Sequence, residues 1–128
     1  MPNKWEIVLL SYPFTNLQGS KVRPAVVISP NDFNRQSQDA LFMLITSNVS
    51  RSSQYEVHIP VSHPEYPATG LAKDSMVRVG KLVMLEKSLV RVQIGRIGPI
   101  LQAEIEVVLR SFFQLTPFQP SLPPTAPI

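Results

Sequence analysis

Short apolar runs, separated by residues that favour turns, fill the first three quarters of the chain. Runs of this length that are rich in β-branched and aromatic residues predict strands. The predicted strands cover residues 6–12, 23–29, 40–47, 55–59, 75–79, 82–85 and 92–97. Asn31 is predicted to cap a single helical turn through Arg35. Residues 60–70, which contain three prolines and a glycine, are predicted as a loop.

The hydrophobic period changes at Gly98, after which Pro99 suits the first turn of a helix. The apolar residues that follow are spaced by four, three, four and three positions: Leu101, Ile105, Val108, Phe112 and Leu115. Because this spacing places them on one side of a helix, we predict a helix over about residues 99–115 that packs on the strands. Several short strands with one terminal helix predict a mainly β fold with a C-terminal helix, built as a small barrel.

The last twelve residues differ from the rest in composition. Residues 117–128 hold five of the thirteen prolines in the chain, and no packed element fits that composition. We predict an extended or disordered tail there and assign residues 1–116 to the folded domain. Removal of the tail is expected to leave the activity unchanged.

The amino-acid composition limits the classes of protein to which this chain can belong. Hydrophobic residues make up 44% of the 128 residues, enough for a packed core. The absence of cysteine excludes disulfides and zinc-thiolate sites and fits a cytoplasmic protein. No signal peptide is visible, and no run approaches the roughly 18 apolar residues that a membrane span needs. The net charge of +3 is a mild bias towards anionic partners such as RNA.

Five ordered blocks of sequence carry a resemblance to a known family. They are residues 6–14, 19–29, 44–47, 69–82 and 94–99. In order and spacing they resemble the MazF/PemK toxins over about residues 5–115. The resemblance implies an SH3-like barrel of the CcdB/MazF type that forms a homodimer and needs no cofactor. It implies the toxin of a type II toxin–antitoxin system, a metal-independent and sequence-specific endoribonuclease.

The same resemblance implies a substrate and partners. The substrate is single-stranded RNA, cut to leave 2′,3′-cyclic phosphate and 5′-hydroxyl ends, which inhibits translation and growth. A cognate antitoxin similar to MazE or PemI occupies the RNA groove, and operator DNA is reached only through that antitoxin. Two departures from the family stand out. Trp5 replaces a glycine, and the loop over residues 15–22 has no acidic residue that could act as a general base.

The candidate catalytic residues are Arg23, Thr46 and Ser47. Cleavage of RNA without a metal builds charge on phosphate oxygens, and a planar guanidinium can hold two such oxygens at once. Arg23 matches the family's catalytic arginine, and we assign it phosphate stabilisation, with proton donation as a second role. Thr46 matches the catalytic threonine, and its neighbour Ser47 is assigned a supporting role. On residue type alone, Thr46 reads more readily as a strand-end residue whose hydroxyl bonds nearby backbone.

The candidate RNA-binding residues are basic, amide or aromatic side chains in or beside predicted loops: Phe14, Gln18, Lys21, Arg51, Lys73, Arg78 and Lys81. If the cations cluster, they form a groove that follows the phosphate backbone; if they scatter, they only confer solubility. Phe14 is the candidate for base stacking, whereas Tyr12 and Trp5 are assigned to the core or to a subunit contact. His58 and His63 match no metal-ligand spacing, and we predict no metal site.

Two alternatives stay open at this point. A relative of the gyrase-poisoning CcdB toxins would share the barrel but bind a protein, and fold alone cannot separate the two. A degenerate toxin would retain RNA binding but lack turnover, because the loop carboxylate is missing. The pair of Arg23 and Thr46 favours the nuclease.

Overall fold

One antiparallel sheet of six strands organises the protein. The computed structural model describes residues 2–12, 21–50 and 54–115. The strands are β1 (Glu6–Tyr12), β2 (Lys21–Val27), β3 (Asp39–Thr46), β4 (Glu56–Ile59), β5 (Ser75–Glu86) and β6 (Val90–Arg96). Their order across the sheet is β4-β5-β3-β2-β1-β6. The helices are α1 (Asn31–Gln36), α2 (Tyr66–Thr69) and α3 (Pro99–Phe113), with a 3₁₀ turn at Lys87–Leu89.

The prediction of a mainly β fold with a C-terminal helix is confirmed, with differences at the ends of elements. Helix α2 lies within the segment predicted as a loop, and its four residues are too few to show a hydrophobic period. Helix α3 ends at Phe113 instead of residue 115, because Gln114 adopts a left-handed conformation with φ of 56°. Asn31 begins α1 instead of capping it, and its side-chain oxygen accepts a hydrogen bond from the Lys4 amide.

Apolar clusters cover both faces of the sheet. The cluster on the first face is Ile7, Val26, Met43, Ile45, Val57, Ile59, Val77, Val79, Ile97, Leu101 and Ile105, so α3 packs on this face. The cluster on the second face is Val8, Leu10, Ala25, Val27, Ala40, Phe42 and Leu85. Successive residues of a strand point to opposite faces, which is why neighbours such as Val26 and Val27 belong to different clusters.

Strand β5 is continuous where two separate strands over 75–79 and 82–85 were expected, and it contains a large bulge. Met43 pairs with Leu82 and Ile45 pairs with Val77, so the single residue between them on β3 stands opposite residues 78–81 of β5. This leaves three surplus residues on β5. Because three is an odd number, the alternation of faces inverts across the bulge: Val77 packs in the first cluster and Leu85 in the second. Bulges of this kind bend a strand and redirect its side chains.

Helix α3 is anchored at its start by a residue from the segment before α2. Both carboxylate oxygens of Glu65 accept hydrogen bonds from amides of the first helical turn, those of Ile100 and Leu101, each at 2.8 Å. These amides have no partner within the helix, so Glu65 satisfies them and fixes where α3 begins. Within the described part of the chain, no helix has the length and apolarity that crossing a bilayer demands.

Candidate functional site

A cleft of about 190 Å³ opens where the second face of the sheet ends, beside the bulge of β5. It is lined by Tyr12, Arg23, Leu44, Ile45, Thr46, Arg78 and Lys81. Four of the residues predicted to act on RNA therefore share one cavity: Arg23, Thr46, Arg78 and Lys81. They come from three different strands, so only the folded sheet brings them together.

The register of β2 and β3 explains why Arg23 and Thr46 meet. The pairing of β2 with β3 runs from Val27 with Phe42 to Ala25 with Leu44, and the same register continued by two residues would bring Arg23 opposite Thr46. Ala25 belongs to the cluster on the second face and Leu44 packs against it. A step of two residues keeps a side chain on its face, so both candidate catalytic side chains point towards the second face.

The hydroxyl of Thr46 has one hydrogen-bond partner among the residues that the structure describes. Its Oγ1 accepts a hydrogen bond from the amide of Asn48 at 3.1 Å, so the strand-end role considered from the sequence is present. This bond engages an oxygen lone pair, and a hydroxyl also carries one hydrogen to donate. Thr46 can therefore keep its local bond and donate the hydroxyl hydrogen to a phosphate oxygen in the cleft.

An ion pair positions Arg78 in the wall of the cleft. Its Nε donates to Oε2 of Glu56 at 3.2 Å, and the two residues are direct cross-strand partners on β5 and β4. The Glu56 side chain is only 7% exposed and that of Arg78 is 43% exposed. The carboxylate of Glu56 thus fixes the guanidinium through its Nε, and the remaining N–H groups of Arg78 can donate to a ligand.

The charges around the cleft are of one sign. Arg23, Arg78 and Lys81 line it, and its lining includes no carboxylate among the residues that the structure describes. Arginine and lysine only donate hydrogen bonds, and the threonine hydroxyl adds one more donor. Donors and positive charge that converge on a small volume are suited to bind an anion such as a phosphodiester.

Other predicted residues lie apart from this cleft. Ser47 is exposed and follows Thr46, so it does not line the cavity and its supporting role stays a prediction. Lys21 is exposed at the start of β2, two residues before Arg23. Lys73 is exposed in the turn before β5, outside the lining. Phe14, Gln18, Arg51 and the tail over residues 117–128 lie outside the described residues.

Sequence reasoning missed two contributors to this region. Tyr12, assigned to the core or a subunit contact, lines the cleft, because it follows Leu10 by two residues and so shares its face. Glu56 has no aspartate, glutamate, lysine or arginine within four residues in the sequence, and its partner Arg78 is 22 residues away. The pairing of Glu56 with Arg78 depends on the register of β4 and β5, which no local pattern in the sequence gives.

The two histidines belong to other parts of the molecule. Nδ1 of His63 accepts a hydrogen bond from the amide of Glu65 at 3.0 Å, which stabilises the turn before α2. His58 is exposed on β4, where it pairs with Met76 of β5. Neither side chain lines the cleft.

Solved structures of MazF toxins share this fold. The Mycobacterium tuberculosis toxin MazF-mt6 has a TM-score of 0.71 at 17% identity, covering 87% of this chain and 98% of its own. MazF from Deinococcus radiodurans has a TM-score of 0.69 at 22% identity, covering 89% and 97%. An endoribonuclease in complex with its cognate antitoxin from a mycobacterial species has a TM-score of 0.69 at 19% identity, covering 93% and 100%.

Identities this low establish a common fold, and membership of a family depends on the sequence. No curated protein matches the chain closely enough to count as a relative. The sequence profile of the PemK-like, MazF-like toxins of type II toxin–antitoxin systems matches residues 3–113. That match spans all six strands and α3, and the cleft lies within it. The chain therefore belongs to the PemK-like and MazF-like toxins of type II toxin–antitoxin systems.

Proposed function

We propose that this toxin is a metal-independent endoribonuclease that cleaves single-stranded RNA in the cleft between Arg23 and Thr46. One observation carries the proposal: a guanidinium and a hydroxyl from neighbouring strands line one cavity, together with two further cations. The scissile phosphate sits among these donors, and the chain on either side of it follows Arg78 and Lys81. A cationic surface of this kind binds RNA mainly through the phosphates of the RNA backbone.

The chemistry follows from what these side chains can do. The 2′-oxygen of the ribose forms a bond to phosphorus while the bond from phosphorus to the 5′-oxygen breaks. The 2′-hydroxyl loses its proton and the departing 5′-oxygen gains one, so the products are a 2′,3′-cyclic phosphate and a 5′-hydroxyl. Arg23 holds the non-bridging oxygens as their charge rises, and Thr46 donates a third hydrogen bond. These donors are in place before the reaction, so little reorganisation is needed in the transition state.

The names of structurally similar proteins support the same activity. Two solved structures of this fold are of mycobacterial endoribonucleases, one of them in complex with its cognate antitoxin. MazE–MazF complexes from Deinococcus radiodurans also share the fold. By analogy, a cognate antitoxin would cover the cationic cleft of this toxin, a second copy of the chain would complete a homodimer, and cytoplasmic RNA would be the target.

The non-catalytic alternatives make a different prediction. A gyrase poison binds a protein and does not require a guanidinium and a hydroxyl in one cationic cavity, so the cleft favours the nuclease. A degenerate toxin would retain this cleft and bind RNA without cutting it. Only a measurement of turnover separates that case from an active enzyme.

The decisive experiment is cleavage of a long, defined single-stranded RNA by the purified protein in excess EDTA. We expect cuts at a short recurring sequence, with 2′,3′-cyclic phosphate and 5′-hydroxyl ends. Arg23→Ala should slow the cutting by about 10²–10³-fold and retain the wild-type circular dichroism spectrum. Intact RNA with the wild-type protein, or equal cutting by Arg23→Ala, would contradict the proposal.

A further inference from the structure

A second, smaller cavity adjoins the cleft and shares a wall with it. It has a volume of about 160 Å³ and is lined by Tyr55, Glu56, Arg78, Gly80 and Lys81. Arg78 and Lys81 line both cavities, so a ligand in one lies next to a ligand in the other. Complete small-molecule sites begin at about 300 Å³, so this cavity fits a single ring system of a larger ligand.

An aromatic ring forms one side of the second cavity, and α3 holds it in place. The rings of Tyr55 and Phe112 meet edge to face, with centroids 5.3 Å apart. Phe112 belongs to the last turn of α3, and the ring of Phe113 supports it in turn at 5.2 Å. A ring fixed in this way offers a prepared surface for a nucleobase, because aromatic side chains stack on bases of single-stranded RNA.

The floor of the cavity is open because residue 80 is a glycine. A Cβ added at Gly80 would meet only Cε1 of Phe112 within 4 Å, at 3.7 Å, an ordinary contact distance. The backbone there is not in the left-handed region, so glycine is not required for conformation. The missing side chain therefore leaves open space at the lining of the cavity, which a Cβ could enter without a clash with the described residues.

The polar groups of the cavity select among the bases. Arg78 and Lys81 only donate hydrogen bonds, while the carboxylate of Glu56 is nearly buried and engaged by Nε of Arg78. Guanine and uracil present a carbonyl oxygen at the edge where adenine and cytosine present an amino group. A carbonyl accepts from such donors, whereas an amino group would meet them donor to donor.

From these observations we propose that the second cavity is a base-binding subsite that accepts a guanine or uracil next to the scissile phosphate. The base packs on Tyr55, above Gly80, and its carbonyl accepts from Arg78 or Lys81. Glu56 acts as a positioning residue that aims the guanidinium of Arg78. This inference rests on the proposed function, since it assigns part of the sequence preference of the same cleavage site.

The test is to sequence the products of a single-stranded RNA library whose bases around the cut are randomised. We expect the full-length wild-type protein to prefer guanine or uracil at one position beside the cut. Gly80→Val fills the cavity and Tyr55→Ala removes the ring, so each should reduce that preference by between about fivefold and about a hundredfold, the range that one base contact confers. Glu56→Gln should weaken the same preference and leave those at other positions intact.

A matched control uses the same strand and the same new side chain. Met84 lies on β5 and is 51% exposed, outside both cavities, so Met84→Val should reproduce the wild-type base profile. If wild type cuts RNA but Gly80→Val and Tyr55→Ala leave every base preference unchanged, the subsite is wrong and the nuclease stands. A preference for adenine or cytosine at the position that these variants alter would also overturn the assignment. If wild type cuts no RNA, the proposed function itself fails.

Discussion

Two polar cavities lie at opposite ends of the β3–β5 pair, and they differ in the sign and the pairing of the charged side chains that line them. The cleft lies at the Thr46 end of β3, and a larger groove of about 430 Å³ lies at the Asp39 end. The groove is lined by Arg35, Gln36, Ser37, Gln38, Glu86, Lys87 and Ser88. Size alone would therefore select the groove over the cleft as the functional site.

The charges lead to the opposite choice. In the groove, Nζ of Lys87 donates to the carbonyl oxygen of Asn34 at 2.5 Å, and Glu86 adds a negative charge to the lining. The cleft is lined by three cations, and its described lining holds no carboxylate; Glu56, which pairs with Arg78, lies outside that lining. Clustered like charges destabilise the free protein and become favourable once an anion binds. Convergence of charge, and not volume, therefore identifies the candidate site.

The largest expected difference is in the cleavage rates of two arginine variants, one from each cavity. Arg23→Ala should lower the cleavage rate by about 10²–10³-fold, the loss typical of removing one preorganised donor. Arg35→Ala in the groove should leave the rate unchanged. Single-turnover cleavage of a short RNA measures both variants, and equal losses would remove the distinction between the cavities.

A smaller loss is expected from Thr46→Val, which keeps the shape and deletes the hydroxyl. A hydrogen bond to a charged group contributes roughly 1.5–3 kcal/mol, so cleavage should slow by roughly ten- to a hundredfold, with Thr46→Ser close to wild type. Ser37 in the groove is a matched control, since its Oγ also accepts from the amide two residues on, at 2.9 Å. A comparable loss in Ser37→Ala would indicate that the turn bond, and not the donor in the cleft, is what matters.

The lysines allow a finer comparison through salt dependence. If Lys81 contacts a phosphate, Lys81→Ala should reduce the slope of log affinity against log salt concentration by about 0.7 for single-stranded RNA. Lys87→Ala should leave that slope at its wild-type value. Fluorescence anisotropy of a labelled RNA, with the Arg23→Ala background preventing cleavage, measures both. A slope that changes only with Lys87→Ala would reverse the assignment.

The smallest effect concerns stability. Lys87→Ala removes the bond to Asn34 and should reduce the free energy of unfolding by about 1 kcal/mol, because the side chain is partly exposed and its bond is correspondingly weakened. Lys81→Ala should not reduce stability, since it relieves repulsion in the cleft. Urea unfolding followed by tryptophan fluorescence checks both, and a larger loss for Lys81→Ala would be evidence against a cleft strained by like charge.

Periodicity in the sequence was enough to predict the strands and α3, because alternation and the spacing of apolar residues are local signals. The bulge of β5 could not be predicted, since it depends on how two distant segments pair. The same limit applies to Glu56 and Arg78, whose contact is a matter of register. Arg23 and Thr46 were selected through the resemblance to a family, and only the pairing of β2 with β3 gives the physical reason why they meet.

The bulge of β5 indicates where the length of this chain can vary. Residues 78–81 lie between two pairs, Ile45 with Val77 and Met43 with Leu82, and these pairs fix which way the side chains face on each side of the bulge. A residue deleted or inserted among residues 78–81 changes the size of the bulge while both pairs persist, so Leu85 stays in the buried cluster that it completes. A one-residue change in a regularly paired stretch of strand would instead turn every following side chain over, so insertions and deletions in related chains are expected to collect at the bulge.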